Sequence, residues 1–123
     1  MTIKEFYDIT KSNYDNAIKN YKDDNSLTHF IKMFAEDKST LELVEAFEQL
    51  NYEIMINKAH TIKTLSNDFG LTNLYDKVCL LLNDLREDKT NVKDIMFSLL
   101  EEYNLILQNI IKLDEVDYGN LVQ

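Results

Sequence analysis

The chain of 123 residues has no proline and only two glycines, Gly70 and Gly119. That removes the usual punctuation of strands and hairpins, and with it the Gly-rich loops that cradle nucleotide phosphates. Neither G-x-x-x-x-G-K-[ST] nor G-x-G-x-x-G occurs, so the chain has no recognisable means of drawing phosphate from ATP. Cys79 is the one cysteine, which excludes an intramolecular disulfide and a cysteine-rich zinc site and makes a reducing compartment the expectation. Its ordinary role is that of a small buried hydrophobe. No stretch approaches the run of about eighteen apolar residues that a membrane span needs, and Met1-Thr2-Ile3-Lys4-Glu5 does not open a signal peptide. A cytoplasmic protein with no membrane partner is expected. Cations are scarce as well: 13 Lys and Arg stand against 22 Asp and Glu, a formal net charge of -9. Such a surface repels the phosphate backbone, so nucleic acid is not an expected partner.

What is present is hydrophobic periodicity. With 45% hydrophobic residues in 123, one domain with one continuous core is expected. Thr2 and Glu5 stand in capping-box spacing ahead of Phe6 and Ile9, and Ser26 precedes Leu27, Phe30, Ile31 and Phe34. Asp23-Asp24-Asn25 is expected to separate these two N-terminal pieces. Ser39 and Glu42 repeat the capping-box spacing, and Leu41, Val44 and Phe47 then fall on one face. Met55, Ala59, Ile62, Ser66 and Phe69 alternate four and three residues apart, widened by Ile54 and Leu65, up to Gly70 as a left-handed cap. Thr72 can cap the next helix, whose inward face is Leu74, Val78, Leu81 and Leu85, before the polar turn Glu87-Asp88-Lys89-Thr90-Asn91. Val92, Met96, Leu99, Tyr103, Ile106, Ile110 and Leu113 form the last seam. These patterns predict an all-α fold: an antiparallel four-helix bundle over residues 39–50, 52–69, 72–86 and 92–113, with short additional N-terminal helices. The domain is expected to span 1–113, with 114–123 a mobile tail and the boundary near residue 51 soft. A bundle with one core is expected to be a monomer.

A helix advances about 100° per residue, which sets His60 far around from the Met55–Ala59–Ile62–Phe69 stripe and turns it to solvent. Ile56, Lys63, Thr64 and Asn67 lie one or two turns away on that outward side. His60 has no His or carboxylate at the three- or four-residue spacing used by helical metal sites, so no metal is expected there. An imidazole, with an ordinary pKa of about 6.5, is largely unprotonated at neutral pH and is then a competent nucleophile. One turn on, the Lys63 ammonium can pair with a phosphoryl group carried by His60, and Asn67 can donate a hydrogen bond to it. Nothing in Leu27-Thr28-His29-Phe30 gives His29 a comparable chemical partner.

Ala59-His60-Thr61-Ile62-Lys63, followed by Gly70 and Leu74, resembles the A-H-x-[LI]-K-G...G...L signature of histidine-containing phosphotransfer (HPt) domains. The helical layout over residues 1–113 is also similar to theirs. The resemblance implies that His60 is the phosphoacceptor of a two-component phosphorelay and Lys63 its supporting cation. It implies a response-regulator receiver domain, a histidine kinase, or both, as partners; the chain itself would bind no cofactor, and Mg²⁺ would come from the receiver. Where the family has a small residue after the lysine, this chain has Thr64, which an incoming receiver would meet. Ile56 is the apolar residue placed to touch that partner. The alternative is a non-phosphorylated adaptor of HPt fold that binds a receiver or kinase through the surface around Ile56 and His60. A bundle enzyme with a carboxylate or di-metal site has little support, because the acids fall on expected polar faces.

Overall fold

The computed structural model describes residues 1–114. Among them there is no strand, and these residues form seven helices: α1 (Ile3–Ile9), α2 (Tyr14–Tyr21), α3 (Asp24–Phe34), α4 (Ser39–Glu48), α5 (Tyr52–Asp68), α6 (Thr72–Arg86) and α7 (Lys93–Ile110). No helix among the described residues is long and apolar enough to cross a membrane. The expected tail, 114–123, lies outside the described residues except for Asp114.

Local chemistry accounts for the starts of four helices. At α1 the capping box forms in both directions: Glu5 N donates to Thr2 Oγ1 (3.2 Å) and Thr2 N to Glu5 Oε1 (3.4 Å). Asn13, Asp23 and Asn51 cap α2, α3 and α5 by accepting from Asn16 N, Ser26 N and Ile54 N at 3.1, 2.8 and 3.2 Å. Two expected caps do not form. Ser39 is the first helical residue of α4 and is buried; Asp37 Oδ1 accepts its N–H at 2.9 Å, and Lys38 is the N-cap without a side-chain bond. Leu71, not Thr72, is the N-cap of α6, and the Thr72 hydroxyl donates back to the Gly70 carbonyl at 3.4 Å. The N-terminal pieces also number three, not two: Asp23 caps α3, whose first residues are Asp24 and Asn25. The polar run therefore opens a helix, because an aspartate side chain satisfies N–H groups that would otherwise be orphaned.

Four of these helices end by one device. In α1, α4, α5 and α6 the residue after the C-cap is left-handed: Lys11 (φ 54°), Leu50 (φ 55°), Gly70 (φ 63°) and Asp88 (φ 56°). In each case the next N–H bonds five residues back: Ser12 to Tyr7, Asn51 to Ala46, Leu71 to Ser66 and Lys89 to Asp84, at 2.9, 2.9, 2.8 and 3.0 Å. These are Schellman closures, and only one of them uses glycine. The soft boundary near residue 51 is thus a true break, with α4 closing through Leu50 and α5 starting at the Asn51 cap.

The core matches the four-three spacing in the long helices. Met55, Ala59, Ile62, Ser66 and Phe69 are buried, as are Leu74, Val78, Leu81 and Leu85, and Val92, Met96, Leu99, Ile106, Ile110 and Leu113. Tyr103 is half-buried and packs edge-on against Phe34. Helix α7 stops at Ile110, but two tighter bonds, Lys112 N to Asn109 O and Leu113 N to Ile110 O (3.1 and 3.0 Å), carry Leu113 onto the same face. In α4 the expected phase is wrong. Leu43 and Ala46 point inward, Val44 and Phe47 are half-buried, and Leu41 is 58% exposed. In α1, Ile3, Phe6 and Tyr7 are buried and Ile9 is exposed. Short helices with apolar residues on more than one side do not determine their own inward face; their neighbours do.

Helix α5 packs between α4 and α6, and α6 packs against α7. The N-terminal helices sit on the α5–α6 turn. Asn13 N donates to the Gly70 carbonyl (2.7 Å), the buried Tyr7 hydroxyl to the Phe69 carbonyl (2.6 Å), and Asn20 Nδ2 to the Asp68 carbonyl (2.9 Å). The Tyr21 ring stacks on Phe69 with centroids 4.9 Å apart.

Candidate functional site

His60 lies midway along α5 and is exposed, as the helical phase predicts, because Ala59 beside it is fully buried. Its strongest contact comes from another helix. Arg86, the last residue of α6, places Nη2 3.2 Å from His60 Nε2. A guanidinium can only donate, so Nε2 accepts and the ring proton belongs on Nδ1. The nitrogen bearing the lone pair is therefore the one turned toward α6. Arg86 went unrecognised in the sequence, since no spacing rule on α5 reaches a residue 26 positions away. Its one local signal is a cation in the last turn of a helix, which the helix dipole alone explains.

Lys63 is half-buried and lines a groove between α5 and α6 with Tyr75, Asp76, Cys79, Asn83 and Arg86. Both flanking cations are thus on the α6 side of His60. Asn67 is exposed two turns beyond His60. Thr64 is exposed, and its hydroxyl donates to the His60 carbonyl at 3.2 Å, engaged by its own helix. On the opposite flank a shallow groove runs past Glu53, Ile56, Asn57, His60, Thr61 and Thr64. Ile56 differs from expectation: it is half-buried against the core, whereas Ile54, expected to widen the inward stripe, is 41% exposed. Ile54 instead lines an open groove between α4 and α5 with Glu42, Glu45 and Lys58.

The charges around the site are unevenly paired. Lys58 binds Glu42 (3.1 Å), and Lys89 holds both Asp84 (3.4 Å) and Glu87 (3.1 Å), which raise its pKa, Glu87 the more strongly. No carboxylate among the described residues forms an ion pair with Lys63 or Arg86. In a chain with 22 acids against 13 cations, two cations beside one imidazole are left for an anion.

Cys79 is half-buried, not fully buried, and it is the largest influence raising the pKa of the Tyr75 phenol one turn earlier. His29 is half-buried with its ring edge-on to Phe30. Among the described residues no group of three His, Cys, Asp or Glu is placed to hold a metal ion. The chain matches no described protein family, no curated protein and no solved structure.

Proposed function

We propose that this chain is a histidine phosphotransfer protein of HPt type, a phosphoryl carrier without an ATP site of its own, working in the cytoplasm as a monomer. On this reading α4 to α7 form an antiparallel four-helix bundle and α1 to α3 cover one end. The observation that carries the proposal is an exposed imidazole whose Nε2 is met at 3.2 Å by a guanidinium, with a second cation, Lys63, one turn along the same helix.

The chemistry asks little of the protein. Nε2 of His60 attacks the phosphorus of an acyl phosphate on a receiver aspartate; the P–N bond forms as the P–O bond breaks, and the electron pair leaves on the carboxylate oxygen. The proton already on Nδ1 need not move during attack. Positioning and charge neutralisation dominate such transfers. Lys63 and Asn67 support the phosphoryl oxygens, and Mg²⁺ held by the receiver neutralises the rest. The reverse transfer uses the same geometry. Ile56 and Thr64 border the groove that the receiver or kinase covers.

The deciding experiment is intact-mass spectrometry after mixing the protein with a phosphorylated receiver and Mg²⁺, under neutral and acidic quench. Wild type gains one acid-labile phosphoryl mass, and His60→Gln gains none while keeping its helicity. Labelling retained in His60→Gln would sink the assignment. The second reading, a non-phosphorylated adaptor of the same fold, draws on Arg86 occupying the lone pair of Nε2. It predicts receiver binding without mass gain and an affinity nearly unchanged in His60→Ala.

A further inference from the structure

Arg86 is exposed at the end of α6, where carboxylates at positions 84 and 87 stand within a turn, yet it pairs with neither of them. Lys89 takes both, at 3.4 and 3.1 Å, and so leaves the guanidinium to His60. That guanidinium sits on the one atom of the ring able to act as a nucleophile, 3.2 Å from Nε2. While it stays there, the lone pair is engaged and the path to it is blocked. A long side chain on an exposed helix end can swing aside at little cost, and once an anion occupies Nε2 the same donors have a better, charged acceptor a bond length further out.

We infer that Arg86 is a positioning residue with two stations: in the free protein it caps Nε2 of His60 and holds the ring as the Nδ1–H tautomer, and after transfer it moves onto the phosphoryl oxygens. The second station rests on the phosphorelay reading; the first does not. The cap keeps adventitious electrophiles from the histidine, and the second station slows hydrolysis of the P–N bond by holding the phosphoryl group in place. Lys63, lining the same groove on the α6 side, supports the group beside Arg86.

The two stations separate experimentally. Diethyl pyrocarbonate acylates an accessible imidazole nitrogen: the N–C bond forms, the anhydride C–O bond breaks, and the leaving carbonate gives ethanol and carbon dioxide. Arg86→Met, which keeps an apolar stem but no donor, is expected to raise the acylation rate at His60 several-fold, read by peptide mapping against His29 in the same chain. Arg86→Lys should fall between. Nitrogen-15 NMR of the His60 ring should show the proton on Nδ1 in wild type and a shift toward Nε2–H in Arg86→Met, a signature that loss of a purely structural contact would not give. An unchanged rate and tautomer in Arg86→Met would overturn the cap. For the second station, phosphorylated Arg86→Met should lose its phosphoryl group several-fold faster than wild type at neutral pH, and equal decay would overturn that half. If the cap results hold but neither protein takes phosphoryl from any receiver, the relay reading falls, the second station falls with it, and the cap stands.

Discussion

Replacing Gly70 by alanine tests how the N-terminal helices are fastened to the helix that carries His60. Gly70 has φ +63°, and a Cβ there would lie 2.3 Å from the Asn13 carbonyl oxygen, a backbone atom. Holding an alanine left-handed costs roughly 1–2 kcal/mol, of which about 0.4–1 is returned because the unfolded chain loses freedom. The contact must then open by about 1 Å to reach an ordinary van der Waals distance. That movement pulls the α1–α2 link off the turn and breaks the 2.7 Å bond from Asn13 N to the Gly70 carbonyl. Losing that backbone hydrogen bond adds about 1–2 kcal/mol, so Gly70→Ala should lose about 1–3.5 kcal/mol in all. For a domain of this size that is roughly a 10 °C fall in Tm. Urea unfolding followed by far-UV circular dichroism measures it directly, with an unchanged m-value as the check that the same surface is exposed. Gly70→Asn separates the two causes, because asparagine tolerates the left-handed region but carries the same Cβ. It should lose nearly as much as alanine. Recovery of Gly70→Asn to within about 0.5 kcal/mol of wild type would refute the close-approach argument and leave only the dihedral cost.

Four further outcomes are expected. Tyr7→Phe deletes the buried bond to the Phe69 carbonyl and should cost about 1–3 kcal/mol in the same urea assay, the carbonyl being left without its donor. Leu50 is left-handed at φ 55° and 63% exposed, so Leu50→Asn should raise stability by about 0.5 kcal/mol, seen as a higher urea midpoint. The Asp23 carboxyl is held below 3.8 first by the Ser26 N–H and then by the Ser26 hydroxyl. A depressed carboxyl stabilises the fold above its unfolded value and loses that contribution as pH falls through the folded one. The stability difference between wild type and Asp23→Asn should therefore stay level at neutral pH and decline only below about 3.8. Under the proposed function, Lys63→Gln should slow phosphoryl transfer to His60 by about ten-fold or more in rapid-quench assays without changing thermal stability.

The legible parts of this protein were those where one local rule acts without competition. The spacing in α5, α6 and α7 identified the buried faces, because a long helix with a single apolar stripe has one way to bury it. Gly70 declared its left-handed turn, and the Thr2–Glu5 box declared a helix start. The equally left-handed Lys11, Leu50 and Asp88 gave no such signal, since nothing about lysine, leucine or aspartate marks a Schellman closure until the following N–H finds its acceptor. Ser39 carried capping-box spacing and still did not cap: it is already the first helical residue of α4, with its N–H donated to Asp37.

Of the candidate site, the sequence by itself determined that His60 is exposed on α5 and that Lys63 follows one turn later, since both facts need only the helical repeat of 3.6 residues. Only the tertiary structure decided which ring nitrogen is engaged, that Arg86 engages it, and that Ile56 rather than Ile54 leans on the core. Those outcomes depend on where the neighbouring helices lie against α5, and a helix's own sequence records its faces but not what another helix brings to them.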